Sequence, residues 1–183
     1  MVLQRSLKNL AQALISSTTL EAMSELIFRA GQELTQSRYG YVGTIDQQTG
    51  NLISHSMTRS VWETCNVPDK DIIFEKYAGL WGWVLHNHAP IVCNNPDADS
   101  RSQGTPLGHI PIRNFLSIPV FLQDRLVGQI SLANSERNYT DRDVEVVKQL
   151  GVLFALAIQR HDHESELLSA KVKAEEANHA KSE

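Results

Sequence analysis

The sequence contains two adjacent apolar runs, Phe115-Leu-Ser-Ile-Pro-Val-Phe-Leu122 and Leu126-Val-Gly-Gln-Ile-Ser-Leu132, joined by Gln123-Asp124-Arg125. Each run has the length of a strand, and a polar connection of three residues is typical of a β-hairpin. Because Pro119 has no backbone N–H to donate, it predicts an edge position or a bulge in the first strand. The centre of the domain is therefore expected to be an antiparallel sheet.

A second hairpin is predicted nearer the N-terminus, with strands over residues 39–46 and 52–57 and a glycine-containing turn between them. Between the two hairpins the sequence predicts a short helix over residues 80–87, a strand over 90–93 and a loop over 94–113. The loop is rich in proline, glycine and aspartate. Loops of this length in compact domains tend to be functional or mobile.

Two helices are expected before the first hairpin. Thr18-Thr19-Leu20-Glu21 has the Thr-x-x-Glu spacing of a capping box, which starts a helix at this point. The apolar residues that follow recur every three or four positions, as on one buried helix face: Leu20, Met23, Ile27, Ala30 and Leu34. An earlier set at similar spacing predicts a separate amphipathic helix that needs a partner surface: Leu3, Leu7, Leu10 and Leu14.

A long C-terminal helix is expected to begin at Thr140-Asp141-Arg142-Asp143, which resembles another capping box. Up to residue 158 it carries an apolar face that suits packing on a sheet: Val144, Val147, Leu150, Leu153, Phe154 and Ala157. From residue 159 to residue 183 the helix is nearly all polar, with sparse apolar positions at heptad-like spacing, Leu167, Ala170, Ala174 and Ala177. Such a polar helix either frays or pairs with a second copy of itself, and this thin seam would make only a weak coiled coil.

Composition limits the classes of protein. The chain has 183 residues, 42% of them hydrophobic, which allows one domain with a core plus an extension. The formal net charge of −4 comes from intermixed acids and bases, so no nucleic-acid partner is expected. No stretch resembles a signal peptide or a membrane span, which predicts a cytoplasmic location. Cys65 and Cys93 are expected to be unpaired thiols in a reducing compartment.

Several local motifs resemble the GAF domains of proteobacterial sensor kinases. They are Gly79-Leu-Trp-Gly-Trp-Val-Leu85, Gly108-His-Ile-Pro-Ile-Arg-Asn-Phe-Leu-Ser-Ile-Pro-Val120, Leu126-Val-Gly-Gln-Ile-Ser-Leu-Ala-Asn134 and Tyr139-Thr-Asp-Arg-Asp143. The resemblance implies an α+β fold, a GAF-like antiparallel six-stranded sheet flanked by helices, with a long C-terminal signalling helix. It divides the chain into an N-terminal amphipathic helix (1–17), a GAF sensor domain (18–158) and a polar, coiled-coil-like linker helix (159–183).

The C-terminal segment, Lys171-Val-Lys-Ala-Glu-Glu-Ala-Asn-His-Ala-Lys-Ser-Glu183, is similar to the linker that leads into the phosphoacceptor helix of sensor and hybrid histidine kinases. The resemblance implies a two-component parent protein, with the sequence ending before the phosphoacceptor and a kinase domain downstream. His179 lies in the linker, outside the phosphoacceptor box, and is expected to be a solvated helix residue. The expected assembly is a homodimer through the terminal helices.

Catalysis is not expected of this chain. Its ten glycines form neither a GxGxxG nor a P-loop pattern, so no nucleotide site is predicted. His86, His88, His55 and His109 are the only candidates for a metal site, and they are expected to be surface or capping residues. A GAF-fold redox enzyme of the methionine sulfoxide reductase type stays an alternative. It would need a reactive thiolate and a resolving thiol, which Cys65 and Cys93 would have to supply from positions other than the family's.

The same resemblance bears on cofactors. Residues 100–112 contain no cysteine, so no covalent bilin is expected. Haem bound without a covalent link, with His109 or His55 as its ligand, stays open. The Asn-Lys-Phe-Asp-Glu signature of cyclic-nucleotide GAF domains is only partly present, as Asn134, Tyr139 and Asp143, with Ser135 and Val144 replacing two of its residues.

The first hypothesis is a non-catalytic module that senses a small molecule of unknown identity and regulates a histidine kinase. An apolar pocket beneath the loop is predicted from aromatic residues, with polar contacts from the loop. The candidate ligand-binding residues are Trp62, Tyr77, Trp81, Trp83, Arg101, His109, Arg113, Asn114 and Phe115. A third hypothesis is a dimerisation spacer without a ligand, which a pocket filled by Trp81 and Trp83 would favour.

Overall fold

The computed structural model describes residues 2–56, 64–67, 72–75 and 77–182. The described α-helices are α1 (Val2–Ser16), α2 (Leu20–Thr35), α3 (Gly79–Asn87) and α4 (Asp141–Ser182), and a short 3₁₀ helix spans Pro96–Ala98. The strands are β1 (Ser37–Ile45), β2 (Leu52–Ser54), β3 (Ile73–Phe74), β4 (Ile91–Cys93), β5 (Phe115–Leu122) and β6 (Arg125–Ser135).

The strands form one six-stranded sheet in the order β3-β2-β1-β6-β5-β4, and all neighbours are antiparallel. The hairpin predicted from the two apolar runs is the β5–β6 pair, with Leu122 opposite Arg125 at its turn. The first predicted hairpin is the β1–β2 pair. The expected α+β fold with a GAF-like antiparallel sheet is confirmed.

One face of the sheet carries the main core. Alternate residues of the central strands point to this face, among them Val42, Leu116 and Ile130, and all three are buried. They pack against Phe28 of α2 and Phe154 of α4, which are fully buried. Gly151 brings α4 close to the sheet, because a Cβ there would lie 2.9 Å from Cδ1 of Ile118. We call this the helix face of the sheet.

Both features that the sequence predicted for Pro119, an edge position and a bulge, are present in the structure. β5 pairs with β6 along its whole length, but with β4 only from Phe115 to Ser117, so β5 is locally an edge at Pro119. A register shift follows between Val120 and Phe121. The missing N–H therefore costs the sheet no ladder hydrogen bond with β4.

The start of α2 differs by one residue from the prediction. The N-cap is Thr19, whose hydroxyl accepts a hydrogen bond from the backbone N–H of Ala22 (3.2 Å). A box centred on Thr18 was wrong, because Glu21 instead lies beside His55, with 3.7 Å between Oε1 and Nδ1. At the other predicted box, the Asp143 carboxylate accepts from the backbone N–H and the hydroxyl of Thr140, both at 2.8 Å.

α1 lies on α2 and α4, as an amphipathic helix with a partner surface requires. Leu10 and Leu14 are buried in the main core. The guanidinium of Arg160 on α4 donates to the carbonyls of Ile15 and Ser17, at the end of α1. These bonds satisfy carbonyls that a helix leaves free at its C-terminus, and they tie α1 to α4.

α4 is one unbroken helix of 42 residues. Phe154 and Ile158 are its last large core residues, and from Asp162 to His179 every residue is exposed. No helix among the described residues is long and apolar enough to cross a membrane.

Candidate functional site

The opposite face of the sheet, which we call the loop face, is covered by α3, by the loop of residues 94–113 and by residues 64–67. The cover is held by direct contacts: the backbone N–H of Asn66 donates to the carbonyl of Gly108 (2.8 Å). Gly108 has φ +88, and a Cβ there would lie 2.8 Å from the Asn66 oxygen, so this approach requires a glycine. The candidate residues of the sequence lie mainly on this side.

The loop face has a polar floor made by neighbouring strands. The Tyr41 hydroxyl donates to Oε1 of Gln129 (3.0 Å), and Nε2 of Gln129 donates to the backbone carbonyl of Trp81 (2.8 Å) and to the hydroxyl of Ser117 (3.0 Å). The hydroxyls of Ser117 and Ser131 are 2.8 Å apart. Burial raises the pKa of Tyr41 far above its usual range, so the phenol stays neutral. The floor thus presents uncharged hydrogen-bonding groups.

An aromatic cluster stands over one half of this floor. The ring of Phe74 in β3 stacks on Tyr41 at 5.7 Å and meets Trp81 edge to face at 5.3 Å. Tyr77 meets Trp81 edge to face at 5.8 Å, and its hydroxyl donates to the carbonyl of Gly50. Gly82 makes the close packing of α3 possible, since a Cβ there would lie 2.3 Å from the carbonyl carbon of Tyr77. Tyr77 and Trp81, which were both predicted as ligand-binding residues, therefore contact one another.

A second cluster joins α3 to β4 and the loop. The guanidinium of Arg101 lies 5.0 Å from the ring centre of Trp83 and makes a two-point ion pair with Asp99 (2.9 and 2.6 Å). Hydrogen bonds from Arg101 hold the pKa of Asp99 well below its usual range. The buried thiol of Cys93 is hydrogen-bonded to Asp99, and burial together with that carboxylate raises its pKa. A thiol in this setting is held in its unreactive protonated form.

The remaining predicted residues have different surroundings. His109 is half-buried with Nδ1 2.7 Å from the carbonyl of Ile110, and the Arg113 side chain is exposed. Phe115 packs between a cluster around Cys93 and another around Cys65. The amide of Asn114 is occupied by backbone: it donates to the carbonyls of Ser135 (3.2 Å) and Arg137 (3.0 Å) and accepts from the N–H of Ser135 (2.8 Å). Trp62 lies outside the described residues.

His55 lies on the helix face, where Nε2 is 2.8 Å from the Thr44 hydroxyl and Nδ1 faces Glu21. It is therefore separated by the sheet from His109, and the two cannot line one haem pocket. Among the residues the structure describes, no three His, Cys, Asp or Glu side chains converge as metal ligands would.

The cavities in the described part of the chain include two that do not lie beneath the loop. One, of about 350 Å³, is between α1 and α2 and is lined in part by Leu7, Leu26 and Leu34. The other lies at the β5–β6 turn, next to Gln159. On the loop face the aromatic side chains instead pack against one another.

The polar floor and Asp99 were missed as site residues by the sequence reasoning. The floor had a signal, since Gln129 and Ser131 alternate with the apolar Ile130 and Leu132, a period of two that places polar groups on one face of β6. No sequence signal could have revealed the hydrogen bond between Gln129 and Tyr41, because these residues are 88 positions apart in the chain.

Comparison with known proteins agrees with this architecture. Residues 17–159 match the family described as GAF domain. A "methyl sulfide methyltransferase-associated sensor" of Methanosarcina acetivorans is 29% identical over 166 residues, which cover 90% of this chain and 17% of that protein. The chain thus spans about a sixth of the length of this relative.

Two solved structures share the fold at low identity. The GAF domain of a phosphoenolpyruvate-protein phosphotransferase from Coxiella burnetii has a TM-score of 0.73 and 18% identity, over 90% of this chain and 96% of that one. Free methionine-R-sulfoxide reductase from Neisseria meningitidis, in complex with its substrate, has a TM-score of 0.69 and 13% identity, over 88% and 91%.

The sheet order, the two differently covered faces and the matched family agree, and the chain belongs to the GAF domain family.

Proposed function

We propose that this chain is a non-catalytic sensory and dimerisation module of a two-component histidine kinase. A small molecule binds on the loop face, and its occupancy changes the arrangement of two α4 helices that lead to a kinase domain in the same polypeptide. The observation that carries the proposal is α4 itself: one unbroken helix packs along the sheet beneath the site and continues as an exposed extension beyond the body.

The pairing surface is an apolar stripe on α4 that begins inside the domain body. Val152 and Leu156 are 61% and 54% exposed, although the opposite side of the same turns is buried. At 3.6 residues per turn they share a strip of about 80° with the apolar positions of the linker, Leu167, Ala170, Ala174 and Ala177. The stripe therefore gives the thin linker seam two larger residues anchored on the folded domain, and a parallel homodimer would cover it.

The ligand site is supported by chemistry rather than by an open cavity. The floor offers neutral donors and acceptors, Trp81 and Phe74 offer flat apolar surface, and the partly exposed Arg101 and His109 would supply polar contacts from the loop. Because the ring of Trp81 packs against those of Phe74 and Tyr77, a ligand that enters this cluster would have to displace one of these side chains. A ligand that favours the displaced position would shift the population of the two states, and coupling of about 1–3 kcal/mol is typical of such responses.

The ligand proposal is tested by native mass spectrometry on protein purified from its host. A bound small molecule that is lost in Trp81→Ala but retained in the exposed Gln103→Ala variant supports the site. Absence of any bound molecule, together with no thermal shift across a metabolite library, contradicts it. That outcome would favour the spacer without a ligand, which the aromatic packing on the loop face also favours.

Dimerisation through α4 is tested by sedimentation velocity. Val152→Asp combined with Leu156→Asp should convert the dimer to monomer, because two carboxylates would face their partners across the seam. The control is Leu168→Asp, which is also an exposed leucine of α4 but lies on the other side of the helix. If the double variant remains dimeric, this stripe is not the interface.

The two cysteines distinguish the sensor hypothesis from the alternative of a redox enzyme. Both are buried and unpaired, and the raised pKa of Cys93 disfavours the thiolate that the chemistry needs. A Cys65→Ser, Cys93→Ser protein that keeps its ligand and its dimer supports the sensor. Methionine sulfoxide reduction by the wild-type chain, lost in that variant, would support the enzyme.

A further inference from the structure

Three asparagine side chains fasten residues 94–114, the loop and the residue after it, to residues 134–140, which run from the end of β6 to the start of α4. Asn94 stands at the start of the loop, Asn114 just after its end, and Asn134 at the end of β6. In each asparagine, the side-chain carbonyl and the side-chain amino group both form hydrogen bonds with backbone atoms of the other segment. None of the three contacts is local, since the partners are 21 to 45 residues apart.

Asn94 holds the residue that comes just before the N-cap of α4. Its Nδ2 donates to the carbonyl of Tyr139 (3.0 Å), and its Oδ1 accepts from the N–H of the same residue (2.8 Å). This two-point contact fixes both the position and the rotation of the Tyr139 peptide groups. A movement of Asn94 must therefore break the pair or take Tyr139 with it.

Asn134 and Asn114 make the corresponding contacts at the other end of the loop. Asn134, in the left-handed conformation with φ 57, accepts from the N–H of Arg113 and donates to the carbonyl of Pro111, both at 2.8 Å. Asn114 holds Ser135 and Arg137 through the bonds described above. Asn114 and Asn134 are each 6% exposed, so these bonds are shielded from water.

The connection passes these constraints directly into α4. The guanidinium of Arg137 makes two bonds of 2.7 Å to the Asp143 carboxylate, which also holds Thr140. Burial alone would raise the pKa of Asp143, but hydrogen bonds from Arg137 and Thr140 outweigh it and the net shift is downward, so the carboxylate stays charged. The first turn of α4 and the 135–140 connection are thus one hydrogen-bonded unit.

We propose that Asn94, Asn114 and Asn134 are positioning residues that couple the loop to the first turn of α4, so that the loop and the helix start move together. The role of this coupling in signalling rests on the proposed function, but the coupling itself needs no ligand and exists in the free protein. It is a route from the loop to α4 that passes the ends of β4, β5 and β6 through hydrogen bonds between asparagine side chains and the backbone.

Hydrogen–deuterium exchange of the full 183-residue chain, without ligand, tests the coupling. In Asn94→Ala we expect exchange in peptides covering residues 138–146 to rise about twofold to tenfold, the effect of losing one or two ordinary hydrogen bonds. The matched control is Asn95→Ala, because Asn95 is exposed and its side chain makes no capping hydrogen bond to the 3₁₀ helix that follows it. It should leave the first turn of α4 unchanged.

The reverse direction uses a change on α4. Because coupling between two sites is reciprocal, Asp143→Asn should raise exchange in loop residues 94–113. Glu145→Gln, which removes an exposed ion pair with Lys148 on the same turn, is the control and should not. Faster exchange confined to the mutated segment in both Asn94→Ala and Asp143→Asn would overturn the coupling, whereas a missing ligand would overturn only the proposed function.

Discussion

His55 illustrates how a single residue acquires its chemistry from packing. Its ring is held between the Thr44 hydroxyl and Glu21, and His161 of α4 also faces it. Burial lowers the pKa of His55, His161 lowers it further, and Glu21 partly offsets both. The folded state therefore favours the neutral ring more than the unfolded chain does.

This shift predicts a pH dependence of stability at the residue scale. Below the unfolded pKa of about 6.5 the unfolded state takes up the proton more readily, so the free energy of unfolding should fall as the pH drops from about 7.5 to about 5.5. His55→Gln, which keeps a donor for Thr44, should weaken that dependence, as measured by urea denaturation at several pH values.

The control for this prediction is His179→Gln, since His179 is exposed on the far part of α4. It should leave the pH dependence as in the wild type. An identical pH dependence in the His55 variant and the wild type would contradict the assignment.

At the element scale, the start of α2 shows a choice between two adjacent residues. Both Thr18 and Thr19 can cap a helix, and the spacing to Glu21 favours Thr18. The structure uses Thr19, whose hydroxyl accepts from Ala22, while Glu21 lies beside His55. The cap is therefore decided by where α2 lies on the sheet rather than by the local box.

Replacement of each threonine separates the two caps. Thr19→Ala should destabilise the protein by about 1 kcal/mol, because the N–H of Ala22 loses its partner. For a domain of this size that corresponds to a fall in Tm of about 2–4 °C by calorimetry. Thr18→Ala is the matched control and should change Tm by less than about 1 °C. A larger fall in Tm for Thr18→Ala than for Thr19→Ala would instead indicate a capping box at Thr18.

At the scale of the whole molecule, the structure separates a packed body from the extension of α4. The described core lies within residues 10–158, whereas every residue of α4 from Glu166 to His179 is exposed. The bonds from Arg160 to the end of α1 mark the point where α4 leaves the body. The body should therefore fold without the extension.

A truncation after residue 165 tests this division. At concentrations that keep the chain monomeric, its Tm should equal that of the full chain, because the removed residues are not packed on the body. Its self-association, followed by sedimentation, should weaken since part of the α4 seam is lost. A truncation after residue 150 removes the buried Phe154 and Ile158, and should abolish cooperative unfolding.

The sequence alone was sufficient for the elements and for the class of fold. Two apolar runs of strand length, 115–122 and 126–132, with a short polar connection predicted the β5–β6 hairpin, and the apolar face from Val144 to Ala157 predicted that α4 packs on the sheet. These predictions succeeded because the period of hydrophobic residues records which side of a strand or helix is buried. It also proposed Tyr77 and Trp81 for one ligand site, which stays a prediction; the structure places their rings 5.8 Å apart.

Only the tertiary structure decided what the polar residues do. Asn114 was predicted as a ligand contact from its place beside the loop, but its amide holds the backbone of Ser135 and Arg137. His55 and His109 looked alike in the sequence and lie on opposite faces of the sheet. A polar side chain takes its role from the partners that satisfy its hydrogen bonds, and here those partners come from segments far apart in the chain, brought together only when the helices and strands pack.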